Sequence, residues 1–186
     1  MFLILPTLLA CTPLEEMVPV LYNEDACAPA RFEPVACVLD GDTIDIGACG
    51  DEGERIRFLG VAAPEIAHAG SEEECFGDEA HAFLEEILTD KSVQLSFDKE
   101  CQGIYGRTLA WVSLDLEDVF DDYPYFLVEE GFDADQKLLV NELLIAYGYA
   151  RRYDEAFATD ILFFDRLGKA EEYAKEHNFG LWAECE

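Results

Sequence analysis

Four side chains in this sequence have the types and spacing for phosphate chemistry: Asp42, Arg57, Glu65 and Arg107. Asp42 lies in the turn "DGDT" (40–43), where a carboxylate can hold a hard cation through oxygen. Taken alone, that tetrapeptide is an ordinary turn. Arg57 interrupts the apolar run "IRFLGVAAPE" (56–65). An arginine in such a strand usually carries its head out to solvent. Turned into a cleft instead, its planar fork matches the geometry of a phosphate. Glu65 follows Pro64, whose fixed φ stiffens the bend and sets where the carboxylate emerges. A carboxylate positioned near a metal accepts a proton from an attacking water. Arg107 ends "YGR" (105–107) and opens an apolar run.

Strands and tight turns must position such a set. "VACVLDGDTIDI" (35–46) is two β-rich runs around Asp40-Gly41, a hairpin signal. "IRFLGV" reads as a third strand, "SVQLSFD" alternates as a fourth and "RTLAWVSL" makes a fifth. "GDEAHAFLEEIL" (77–88) places Ala80, Phe83, Leu84, Ile87 and Leu88 at helical spacing. Residues 115–137 are acidic and aromatic without a sustained period, and read as a solvated insertion. Their carboxylates lack the spacing of an EF-hand loop. "LLVNELLIAYGYA" reads as a helix stopped near Gly148. A longer helix is expected from about Asp154, with Phe157, Ile161, Phe164 and Leu167 on one face and Gly180 closing it. There are no internal repeats. Five short strands with a helix between the third and fourth predict an α+β chain with a mainly β core: a five-stranded OB-type barrel with about three helices.

At 186 residues the chain allows one domain with a full core, and 51% apolar residues exclude a disordered one. Its net charge of −29, from 41 acidic against 12 basic residues, disfavours non-specific binding to polyanions. A salty habitat would screen that self-repulsion. Arg55, Arg57, Arg107, Arg151 and Arg152 nevertheless lie in or beside the motifs, so a locally positive cleft on an acidic body is expected. Residues 2–10 are apolar but too few to span a membrane. They end in "LLAC", which resembles the lipobox of bacterial lipoproteins, although no Lys or Arg precedes Cys11. The alternative is a buried N-terminal strand. The expected organisation is a signal peptide over 1–10, a lipid-anchored tether over 11–32 beginning at Cys11, and a domain over 33–186. That organisation implies an exported cell-envelope lipoprotein, and a monomer is expected. Setting Cys11 aside leaves Cys27, Cys37, Cys49, Cys75, Cys101 and Cys185, an even number suited to disulfides in an oxidising compartment. No CxxC or Cys/His cluster points to zinc. Six cysteines allow about 15 pairings, which residue spacing does not resolve.

Taken in order, "DGDT", "IRFLGVAAPE", "CFGDEAHAFL", "YGRTLAWV", "LVNELLIAYGYA" and "GLW" resemble the staphylococcal-nuclease (thermonuclease) family, from about Val35 to Trp182. The resemblance implies an OB-fold and calcium-dependent hydrolysis of DNA and RNA phosphodiesters. It makes Asp42 a calcium-binding carboxylate with Thr43 beside it, and Ala63 a backbone-carbonyl ligand. It makes Arg57 and Arg107 the phosphate-gripping arginines and Glu65 the general base or water-positioning group. Tyr105 and Tyr153 fall at the nucleotide pocket. Relatives with cysteines at both places imply a Cys75–Cys101 disulfide. The chain departs from the family at Ala62, where active relatives carry the second calcium-binding aspartate. Two readings therefore stay open: a metal-dependent nuclease with a weakened site, and a catalytically inactive module that binds nucleic acid or protein. A purely structural acidic lipoprotein would leave both arginines as ordinary ion-pairing residues.

Overall fold

Alternation in the first hairpin decides which side chains enter the core. β1 (Arg31–Asp40) and β2 (Thr43–Ile46) are joined by Gly41-Asp42, with Asp40 opposite Thr43. β3 (Glu54–Phe58) then pairs antiparallel with β2. Because side chains alternate faces along a strand, Ile44, Ile56 and Phe58 point inward, and Thr43 and Arg57 share the opposite face. The computed structural model describes residues 25–67, 72–115, 137–154 and 160–185.

The remaining elements are β4 (Val61–Ala62), α1 (Gly77–Leu88), β5 (Ser92–Ser96), β6 (Thr108–Asp115), β7 (Lys137–Leu139), α2 (Val140–Ala146), β8 (Arg151–Arg152), α3 (Phe164–His177) and the four-residue α4 (Leu181–Glu184). The main sheet runs β3-β2-β1-β5-β6-β7, and a parallel pairing of β3 with β6 closes five of these strands into a barrel. β1 serves both halves, holding β2 through residues 35–40 and β5 through 31–34. This is the expected five-strand barrel with its helices, and closure removes the open edges. α1 covers it with Ala80, Leu84, Ile87 and Leu88, all buried. Phe83, expected on that buried face, is half-buried and stacks on Tyr149 at 4.0 Å.

Across β2 and β3, Asp45 faces Arg55. Arg55 Nε donates to Asp45 Oδ1 at 3.0 Å, and the Gly50 N–H donates to Oδ2 at 2.7 Å. Burial alone would raise the Asp45 pKa, but the Arg55 and Gly50 hydrogen bonds and the Arg55 charge hold it below the ordinary 3.8. A pKa depressed by folding gives stability that is present above 3.8 and lost as pH falls through the lower folded value. Asp45→Asn is therefore expected to lower the denaturation midpoint at neutral pH and to flatten its decline in acid, measured by urea titrations across that range.

Four expectations need correction. The tether was expected to reach residue 32, but Arg31 and Phe32 already pair with β5, and the Cys27 N–H donates to the Asp98 carbonyl at 2.8 Å. The domain therefore starts before residue 33. Leu138 and Leu139, expected in a helix, lie in β7 because β6 offers them a ladder. The long helix starts at Phe164, ten residues after the expected Asp154. Asp98 Oδ2 accepts the Leu162 N–H at 2.7 Å, within the bend and turn of residues 160–163. Phe157 lies outside the described residues, as do Cys11 with the whole signal segment and the body of the 115–137 insertion. The ends of that insertion meet: Asp115 pairs with Lys137 across β6 and β7, and their side chains form a 2.6 Å ion pair.

The fourth correction is the disulfide. Cys75 bonds Cys185, and Cys101 bonds Cys27, leaving Cys37 with Cys49. Their Cα separations of 5.6, 5.7 and 5.8 Å suit disulfides. Cys101 meets the N-terminal segment held at Asp98, whereas Cys75, at the entry to α1, meets the C-terminus 110 residues away. A non-reducing peptide map is expected to recover the Cys75 and Cys185 peptides as one mass; recovery of a Cys75–Cys101 species would reverse this assignment.

Candidate active site

The turn after β1 is built to present a carboxylate. The Asp42 N–H donates to Asp40 Oδ1 at 2.9 Å, and the Asp42 carbonyl accepts the Phe58 N–H at 3.0 Å. Gly41 leaves no room for a side chain: a Cβ there would lie 2.6 Å from the Ala63 Cβ and 2.8 Å from that of Ala80. Glycine thus lets the turn press against the segment after β4. At that contact the Ala63 N–H donates to Asp42 Oδ2 at 2.9 Å, and the Thr43 hydroxyl donates to Oδ1 at 3.0 Å. Arg57 Nη1 pairs with the same Oδ2 and lies 3.4 Å from the Asp42 carbonyl oxygen. Asp42 is 4% exposed.

Arg57 is the hub. Its side chain is 17% exposed, and burial pushes its pKa down to about 10, so it stays charged at neutral pH. Asp40, Glu65 and Tyr153 act on it to favour the charged form, and the second cation, Arg107, disfavours it. Arg107 is half-buried and enters β6 from a turn in which the Gly103 N–H donates to its carbonyl at 2.9 Å. Its guanidinium lies 5.6 Å from the Tyr105 ring centre, and Tyr105 is 79% exposed at the loop tip. Tyr153 is fixed by its N–H on the Gly60 carbonyl at 2.9 Å. Glu65 is exposed, but its backbone is held on both sides: the Glu74 N–H donates to its carbonyl at 2.9 Å, and its N–H donates to Glu74 Oε2 at 3.2 Å. Gly77 permits this, since a Cβ there would stand 2.5 Å from the Glu65 carbonyl oxygen.

A cavity of about 500 Å³ opens beside this hub, lined by Arg57, Gly60, Tyr105, Arg107, Leu109 and Tyr153. Its volume is that of a small-molecule site, and its walls combine aromatic faces with two guanidinium groups. Asp42 thus contacts Thr43, Ala63 and Arg57, and Arg107, Glu65 and Tyr153 act on the Arg57 charge. Arg57, Tyr105, Arg107 and Tyr153 line the cavity, whereas Asp42 and Glu65 do not. Two contributors escaped the sequence reading. Asp40 shapes the turn and acts on Arg57, and Gly41 permits the close approach; both stand inside "DGDT", beside the expected site residues Asp42 and Thr43.

A family model described as staphylococcal nuclease homologue matches residues 55–184. The chain belongs to that family. It is 28% identical over 146 residues to a thermonuclease of Staphylococcus hyicus, covering 78% of this chain and 72% of that protein. It is 42% identical over 77 residues to a thermonuclease of Staphylococcus intermedius, covering 41% of this chain and 45% of that protein. A probable endonuclease lcl3 of Penicillium rubens is 31% identical over 132 residues, covering 71% of this chain and 41% of that protein. The chain therefore spans less than half the length of two of these three relatives. Asp42 precedes the span matched by the family model, so its place in the site rests on the barrel geometry.

The family implies calcium, and the residues here do not fit it. A calcium ion takes about six to eight oxygens, with affinity set by the number of carboxylates. This turn offers two carboxylates, and both are engaged: Asp42 accepts from Thr43, Ala63 and Arg57, and Asp40 accepts the Asp42 N–H and acts on the Arg57 charge. Ala62 contributes a methyl group, and the residue paired with it across β4 and β8 is a cation, Arg151. Among the described residues no group of three or more His, Cys, Asp or Glu side chains could hold a metal.

Proposed function

We propose that this chain hydrolyses phosphodiester bonds in DNA or RNA at the Arg57–Arg107 cleft. One observation carries the reading: Arg57 and Arg107 line the wall of one open cavity, with Arg107 close enough to disfavour the charge on Arg57. Two like charges held together in a half-buried cleft make a site for an anion, and guanidinium forks match phosphate oxygens. Arg57 and Arg107 would hold the phosphoryl oxygens and stabilise the charge that builds there during attack. Glu65 would orient the water and take its proton. Tyr105, Tyr153 and Leu109 would receive the nucleoside. The same proposal places the protein outside the cytoplasm as a monomer tethered through a lipid on Cys11. The "LLAC" segment and the three disulfides support that location.

The second reading, a binding module without catalysis, is favoured by Ala62 and by the engaged Asp42 carboxylate. Digestion of plasmid DNA and of single-stranded RNA by purified protein separates the two. Cleavage that disappears in Glu65→Ala and Arg107→Ala supports the enzyme. Retention of nucleic acid on the wild-type protein without any cleavage supports the binding module. Cys11→Ser is expected to abolish membrane association without changing either result.

A further inference from the structure

We infer that Asp42 is a positioning residue for Arg57, and that this chain grips phosphate without calcium. The inference rests on the phosphodiester reading above and goes beyond it by saying which cation the site uses. A carboxylate has about four lone-pair positions for partners. In Asp42 one oxygen takes the Thr43 hydroxyl and the other takes both the Ala63 N–H and Arg57 Nη1. A carboxylate at 4% exposure needs a counter-ion, and Arg57 supplies it from within the chain. A calcium ion would have to displace that guanidinium; residue 62 is alanine, and the turn's other carboxylate, Asp40, already accepts the Asp42 N–H and acts on Arg57. Arg151 is the register partner of Ala62, and its guanidinium rests 4.2 Å from the Trp182 ring centre.

The pairing leaves Arg57 functional. A guanidinium has five N–H donors in one plane, so anchoring one amino group at Asp42 fixes the plane and leaves donors for a phosphate. Register supports the same arrangement: Arg57 stands opposite Thr43 on the strand beside the turn, so its stem passes Asp42 on the way to the cavity. Asp42 thus sets the direction of the fork.

The test is isothermal titration of a 5′-phosphorylated thymidine dinucleotide, in EDTA and in millimolar calcium. The proteins compared are wild type, Asp42→Asn, Arg57→Ala, their double variant and Ala62→Asp. Asparagine keeps an oxygen for the Ala63 N–H, and circular dichroism checks each fold. The wild-type affinity is expected to be equal in EDTA and calcium. Asp42→Asn is expected to weaken it about tenfold in EDTA and to add nothing in the Arg57→Ala background, since residues acting as a unit are non-additive. Ala62→Asp is expected to acquire a calcium response that the wild type lacks. A calcium-dependent gain in wild type that vanishes in Asp42→Asn would make Asp42 a metal ligand and overturn the inference. Additive losses in the double variant would overturn it too, by making Asp42 merely structural. Failure of the wild type to bind the dinucleotide in either buffer would instead bring down the phosphodiester reading, and this inference with it.

Discussion

Arg57→Ala is expected to lower the rate constant for phosphodiester cleavage roughly 10²- to 10³-fold, the usual loss when one preorganised donor to a developing oxyanion is removed. The site's charge distribution explains why the effect should be this large. Arg57 is buried to 17% exposure, so water cannot replace it as a donor, and it sits between Asp42, Glu65, Arg107 and Tyr153. Removing it also strands the Asp42 carboxylate at 4% exposure without its counter-ion. Arg57→Lys keeps the charge but loses the planar fork, and an intermediate loss is expected. Steady-state cleavage of a labelled oligonucleotide measures both. Equal activity in wild type and Arg57→Ala would remove the cleft from the chemistry.

Asn141→Ala is expected to lower the unfolding free energy by about 3–5 kcal/mol, because it takes the buried partner from the Val112 N–H and the Leu59 carbonyl. Asn141 is fully buried in α2, yet its side chain serves both β6 and the turn after β3. Its Oδ1 accepts the Val112 N–H at 2.9 Å, and its Nδ2 donates to the Leu59 carbonyl at 2.8 Å and the Ala110 carbonyl at 3.4 Å. Leu59 begins the turn between β3 and β4, so this one amide ties the helix to the segment that carries Arg57 at one end and Ala63 at the other. The loss is a large part of the ~5–15 kcal/mol that keeps a domain folded. Urea unfolding followed by tryptophan fluorescence tests it, since Trp111 is in the core beside this network. A midpoint unchanged from wild type would show that the amide is dispensable.

Much of the site was legible before the fold was known. Arg57 and Glu65 lie nine positions inclusive apart on one strand-and-turn, so their relation is local, and Pro64 is visible in the sequence. The hairpin at Gly41-Asp42 follows from turn chemistry, and strand parity places Arg57 opposite Thr43. Hydrophobic alternation and the helical spacing in α1 were enough to expect a five-strand barrel. Asn141 shows the limit of such reading. In a run of apolar residues it looks like a polar interruption, and nothing local says that its partners stand up to 82 positions away.

What the sequence by itself determined, then, was the inventory: which residues can grip a phosphate, which can handle water, and that position 62 offers no carboxylate. Tertiary structure alone decided the partners. The parallel pairing of β3 with β6 brings Arg57 opposite Leu109, two residues beyond Arg107, although 50 positions separate the two arginines. The Cys75–Cys185 and Cys27–Cys101 bonds depend on where the C-terminus and the N-terminal segment come to rest, which no spacing encodes. The engagement of Asp42 by Arg57 has the same origin. A side chain's type and its neighbours along the chain are local properties, whereas a carboxylate's partner is set by which distant backbone the barrel closes against it.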